Sequence, residues 1–133
     1  MKKILVLGGT QFIGRVLVEQ LQNTDHDVTL FNRGKKNPQL FPEYRKITGD
    51  RETDEIEQVF KEDWDIVFDL SSYYPLSLDK LADGLKGKVG RYIFVSTISV
   101  YDLDKYANQN ITEKFKILPC KVKEKTNKDA KTY

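Results

Sequence analysis

The chain opens on a wholly apolar run, Ile4 to Leu7, that stops at Gly8; beyond it Ile13, Val16, Leu17 and Leu21 recur at helical spacing on one face. This pattern predicts a strand, a tight turn and a helix from about Phe12 to Gln22. Val28 to Phe31 is rich in strand formers and completes a βαβ unit. A polar loop through Asn37, Pro38 and Pro42 leads to a weaker strand around Arg45 to Thr48. A second helix follows, with Ile56, Val59 and Phe60 sharing a face. Thr53 caps it, and Asp54 and Glu55 occupy the first turn, where carboxylates favour the positive helix end. Ile66 to Leu70 and Tyr92 to Val95 are further apolar runs, separated by a helical pattern through Leu78, Leu81 and Leu85.

Near-continuous apolar strands belong to parallel sheets covered on both faces. Five of them, with intervening helices and right-handed crossovers, predict an α/β fold, a doubly wound parallel sheet in the order 3-2-1-4-5. From Asp102 to Tyr133 the periodicity fades, and Lys114, Lys116, Lys121, Lys123, Lys125 and Lys128 scatter without marking a face. No linker or repeat divides the chain, so residues 1–133 read as one domain. The full six-stranded form of this architecture needs at least one more strand and helix, so the sheet is expected to be incomplete at its C-terminal end.

Composition narrows the setting more than the function. At 133 residues the chain can bury a core without disulfide or metal staples, and its net charge of +2 argues for neither a nucleic-acid nor a membrane surface. Cys120 is the single cysteine, which excludes a disulfide framework and a thiolate metal cluster and fits a reducing compartment. Lys2 and Lys3 before an apolar run mimic a signal peptide, but the run breaks at Gly8 and Arg15 follows; no stretch is long enough to span a membrane. A soluble, cytoplasmic protein is expected. His26 in its polar turn reads as a surface residue and Trp64 as a packing residue at the start of the fourth strand; Asp63 and Asp65 lack further ligands, so no metal site is expected.

Chemistry gathers where strands end. Gly8, Gly9, Thr10, Gln11, Phe12, Ile13 and Gly14 link the first strand to the first helix, the setting in which backbone N–H groups and a helix N-terminus cradle a pyrophosphate. Gln11 stands where a dinucleotide fingerprint usually has its middle glycine, which predicts a slightly more open cradle. After the second strand, Asn32, Arg33 and Lys35 suit a 2′-phosphate, whereas an acidic residue would suit the ribose hydroxyl of NAD; NADP is therefore favoured over NAD, though a solvated basic turn reads the same way. After the third strand, Asp50 can accept an adenine amino group and Arg51 can stack on the ring, or the pair is ordinary turn chemistry. Leu70, Ser71 and Ser72 leave the fourth strand toward the expected nicotinamide ribose, or merely lead into the next helix. Ser96 to Tyr101 leaves the fifth with hydroxyls able to polarise a reacting oxygen or to satisfy loop backbone.

The glycine turn, the Asn-Arg-Gly-Lys turn, Gly-Asp-Arg and Phe-Val-Ser-Thr-Ile-Ser-Val-Tyr, in this order, resemble an extended short-chain dehydrogenase/reductase of the NAD-dependent epimerase/dehydratase family, across essentially the whole chain. Gly-Gly-Thr-Gln-Phe-Ile-Gly is similar to an atypical branch that includes the chloroplast stem-loop-binding proteins. The resemblance implies a Rossmann fold and hydride transfer at an oxygen-bearing carbon, in a nucleotide sugar or similar hydroxyl or carbonyl substrate. It implies Thr97 as the catalytic hydroxyl and a tyrosine acid–base with a lysine four positions on. Tyr101 with Lys105 matches that spacing literally but lacks helical surroundings and reads as a decoy. Lys131-Thr132-Tyr133 resembles the start of the family segment, making Tyr133 the second catalytic residue and placing the lysine and the substrate-binding part beyond it. The 133-residue chain is accordingly expected to bind cofactor poorly and to be inactive. A rival reading from the same branch is an RNA-binding protein that uses the fold without redox chemistry, its contacts made by the Lys114–Lys131 segment.

Overall fold

The computed structural model describes residues 1–119. Strands β1 (Lys3–Leu7), β2 (Asp27–Asn32), β3 (Arg45–Thr48), β4 (Trp64–Asp69) and β5 (Val89–Phe94) form one sheet in the order β3-β2-β1-β4-β5. Every pairing is parallel. Helix α1 (Phe12–Leu21) connects β1 to β2 and α2 (Pro75–Gly84) connects β4 to β5, while a 3-10 helix, Asp54–Lys61, connects β3 to β4.

Alternation along β1 divides the core. Leu5 and Leu7 face a cluster with Phe31, Ile47, Ile56, Val59, Trp64, Val67, Leu81 and Leu85. Ile4 and Val6 face the other side, with Val18, Leu21, Val28, Leu30 and Phe41. Both faces of the central strand are thus covered, which is why its sequence is apolar without alternation. Trp64 is buried at the start of β4 and donates its indole N–H to the Val59 carbonyl at 2.9 Å.

Three local expectations need correction. The segment after Thr53 is 3-10 rather than α-helical. Its buried residues, Ile56 and Val59, lie three apart, which the tighter helix stacks on one side, and Phe60 is left partly buried. Strand β5 begins at Val89, three residues earlier than its apolar run, and ends at Phe94. On α1, Ile13 and Val16 are exposed; the face turned to the sheet is Gly14, Val18 and Leu21. Gly14 brings helix backbone against the Gly8 carbonyl, so the helix is rotated away from the stripe its apolar side chains suggest.

Parallel register brings the strand ends to one edge. Leu7 lies beside Phe31 and Asp69, Asn32 beside Thr48, and Asp69 beside Phe94. Everything that follows these residues therefore emerges along the C-terminal rim of the sheet, the rim where open α/β sheets hold ligands.

Candidate functional site

At the middle of that rim the chain leaves β1 through Gly8, whose φ of +96° is one that side-chain-bearing residues rarely adopt. A Cβ on Gly14 would fall 2.2 Å from the Gly8 carbonyl oxygen, so the helix can approach the turn only without a side chain there. Gly9 and Thr10 are buried, and Asn37 donates its side-chain amide to the Thr10 carbonyl at 3.0 Å, tying the loop after β2 to the turn. Gln11 stands at the N-cap of α1 in extended conformation and makes no capping hydrogen bond through its side chain. First-turn amides left uncapped beside a glycine turn provide donors for an anion. Gln11, Phe12 and Ile13 are all exposed at this point.

Beyond β2 the Asn32 carboxamide is occupied locally, accepting the Gly34 N–H at 2.8 Å in a turn where Gly34 has φ +66°. Arg33 and Lys35 project from this turn, and neither has an ion-pair partner among the described residues. They line a cleft of about 220 Å³ with Thr48, Gly49, Asp50 and Glu55. Asp50 accepts the Glu52 N–H at 3.0 Å, and its own N–H donates to the Glu55 carboxylate at 2.8 Å.

Arg51 departs from its expected role. The guanidinium faces inward and grips Asp69 through two parallel bonds, Nη1 to Oδ1 at 2.7 Å and Nη2 to Oδ2 at 3.0 Å, which leaves Arg51 only 9% exposed and not free to stack on a ring. The cause is Asp69 at the end of β4, wholly buried and in need of a counter-charge. The same guanidinium donates to the hydroxyls of Ser71 and Ser72, and the Tyr92 phenol on β5 donates to Asp69. Burial pushes the Asp69 carboxyl up, but hydrogen bonding and charge from Arg51, with the Tyr92 hydroxyl and Ser71 amide, outweigh it and hold the group below the usual carboxylate range. Burial first, and then the Asp69 carboxylate, push the Tyr92 phenol well above its ordinary value.

Asp69 and Tyr92 were not among the sequence candidates. The available signal was a carboxylate closing an otherwise apolar strand, a position at which an unpaired charge is not tolerated.

At the far side of the rim, Thr97 precedes a single 3-10 turn, Ile98–Val100. Its hydroxyl accepts the Ser99 N–H at 3.2 Å and lies 3.3 Å from the Ser99 hydroxyl. Thr97 lines an open cleft of about 270 Å³ with Ser96, Ile98, Val100, Tyr101, Ile111, Thr112 and Glu113. Residues 101–105 form no helix; Lys105 lies over the Tyr106 ring, so the literal Tyr101–Lys105 spacing does not stack the two side chains on a helix turn. Tyr133, Cys120 and the lysines from Lys121 onward lie outside the described residues.

A glycine turn opening a helix at the point where the strand order reverses defines an α/β nucleotide-binding fold of the Rossmann class. Residues 4–124 match the NAD dependent epimerase/dehydratase family. The chain is 31% identical over 115 residues to the chloroplast stem-loop binding protein of 41 kDa b of Arabidopsis thaliana, covering 75% of this chain and 30% of that protein. The UDP-Glc/GlcNAc 4-epimerase of Campylobacter jejuni superposes with a TM-score of 0.75 at 17% identity, over 90% of this chain and 44% of its own. The dTDP-glucose 4,6-dehydratase of Bacillus anthracis, solved in complex with NAD, superposes with a TM-score of 0.66 at 22% identity, over 92% of this chain and 45% of its own. This chain belongs to the NAD dependent epimerase/dehydratase family and has its NAD(P)-binding fold. It spans 30% of the length of the stem-loop binding relative and under half of either solved chain. No helix among the described residues is long and apolar enough to cross a membrane.

Proposed function

We propose that the chain forms the cofactor-binding part of a cytoplasmic oxidoreductase that takes NADP in preference to NAD and acts at a hydroxyl- or carbonyl-bearing carbon of a nucleotide sugar or similar substrate. The observation that carries this reading is the glycine turn, where Gly8 has a φ of +96° and the absence of a side chain on Gly14 lets the N-terminus of α1, uncapped by any side chain, pack against the Gly8 carbonyl. Around it, the amides from Gly9 to Gly14 would hold the pyrophosphate, Arg33 and Lys35 the 2′-phosphate, Asp50 the adenine amino group, and Leu70, Ser71 and Ser72 the nicotinamide ribose. Bound there, the nicotinamide supplies the acceptor and donor of hydride.

Thr97 has the chemistry to hold the substrate oxygen. Its hydroxyl oxygen already accepts from the Ser99 amide, which favours donation of its own proton, and that donation can pass from Ser99 to a substrate carbonyl or hydroxyl in the adjoining cleft. Tyr133 is proposed as the group that gives or takes the proton at that oxygen, on its match to the family segment alone.

Titration with NADPH and NADH, followed by amide chemical shifts, tests the cofactor assignment. We expect shifts at Gly8, Gly9 and Gly14 with both, weak in affinity but tighter for NADPH, and loss of that preference in Arg33→Ala. Equal affinities in the parent chain would overturn the NADP assignment; no shifts with either would overturn the site.

The 31% identity to a stem-loop binding protein favours a second reading, in which the same fold serves as an RNA platform without redox chemistry. Its contacts would be to phosphate and would weaken steeply with salt.

A further inference from the structure

Under that cofactor reading, we infer that Arg51 is a positioning residue for the dinucleotide cradle and acts through Ser71 on the Gly8 turn. Four strands are linked through its guanidinium. Arg51 itself follows β3, Asp69 ends β4, Tyr92 reaches Asp69 from β5, and Ser71 carries the contact across to β1.

The connection to β1 is explicit. Arg51 Nη1 donates to Ser71 Oγ at 3.1 Å, and Ser71 Oγ donates to the Leu7 carbonyl at 3.4 Å. The Ser71 N–H donates to Asp69 Oδ1 at 3.2 Å, and the neighbouring Leu70 N–H donates to Leu7 at 3.1 Å. Ser71 therefore has little freedom to move independently of the ion pair. Its Cβ lies so near Gly8 that a methyl group placed on Gly8 would approach it to 3.1 Å. A shift of Ser71 consequently opens or crowds the turn that would hold the pyrophosphate.

The planar fork of arginine is essential to this arrangement. Each terminal nitrogen donates both to one carboxylate oxygen and to one serine hydroxyl, whereas a lysine ammonium is a point donor that cannot span both pairs. Charge alone would preserve the attraction to Asp69 and lose the geometry imposed on the two serines.

The test compares the 133-residue chain with Arg51→Lys, Ser71→Gly and a triple variant, Arg51→Met with Asp69→Leu and Tyr92→Phe, which replaces the buried polar group by apolar side chains. Thermal midpoints give stability, while amide spectra and NADPH titration to millimolar concentration report the cradle. The positioning role predicts that folded variants show displaced Gly8, Gly9 and Gly14 resonances and bind NADPH about tenfold or more weakly, the triple variant included even if its midpoint equals that of the parent. Parent-like NADPH affinity in a folded triple variant, or in Arg51→Lys where the triple variant does not fold, would overturn the role. If the parent chain itself binds no dinucleotide, the cofactor reading fails and this inference with it; parent binding with unaltered variants rejects the positioning role alone.

Discussion

Gly14 and the Gly8 carbonyl meet at a distance that leaves no room for a methyl group. Gly14→Ala must therefore push α1 away from the turn, and overpacking of this kind costs about 1–3 kcal/mol. We expect a lower urea midpoint with an unchanged slope, together with weaker NADPH binding; an unaltered midpoint would show that the helix is not seated as described. The Asp69–Tyr92 pair makes stability depend on pH at both ends of the range. The Asp69 carboxyl is held below its unfolded-state value, so its contribution to stability is complete above about pH 4 and is lost as pH falls through the lowered folded-state value. Tyr92 is shifted the other way and contributes fully below about pH 10, with loss as pH rises beyond that. Unfolding free energies measured across pH should show a shallower acid limb in Asp69→Asn and a shallower alkaline limb in Tyr92→Phe. Some acid slope should remain, because Glu43, Asp54, Glu62 and Asp65 are also held low by their partners.

The elements respond to packing at their faces. Trp64 ties the 3-10 helix to β4 through the Val59 carbonyl, and Trp64→Phe would leave that carbonyl without its partner inside the core. A loss of about 1–3 kcal/mol is expected, measured by denaturant titration followed by circular dichroism, and no loss would mean that the indole N–H is dispensable there. Strands β1 and β2 were legible because burial on both faces makes them continuous apolar runs. The faces of the helices were harder to read. Gly14 adds nothing to a hydrophobic pattern and yet is the residue at which α1 touches the turn, while Ile13 and Val16 strengthen the pattern and lie outside the contact. The site divides in the same way. Gly8 to Gly14, Arg33 and Thr97 could be put forward as candidates from local sequence because each belongs to a short segment at a strand end. The inward turn of Arg51 could not, since its cause is a carboxylate 18 positions away that only the parallel sheet brings near.

At the scale of the molecule, a net charge of +2 leaves the choice between cofactor and RNA to the distribution of charge along the chain. NADPH and a stem-loop RNA titrated at several salt concentrations should differ in slope. A dinucleotide presents few phosphates and should lose affinity gently with salt, while an RNA held by several lysines should lose it steeply. A steep RNA slope together with no amide shift from NADPH would favour the platform reading.

The strand order β3-β2-β1-β4-β5 also bears on biosynthesis. Of these five strands, the first to leave the ribosome is the middle of the sheet, and its second edge is completed only when Ile66 to Asp69 arrives to pair with Ile4 to Leu7. Until then a ribbon of Ile, Leu and Val has one open side, available to a chaperone or to a neighbouring chain. Chains ended before β4 should accordingly show fast hydrogen exchange along β1, and chains extended past β5 should show slow exchange; slow exchange in the shorter set would mean that β1 settles before its second neighbour exists.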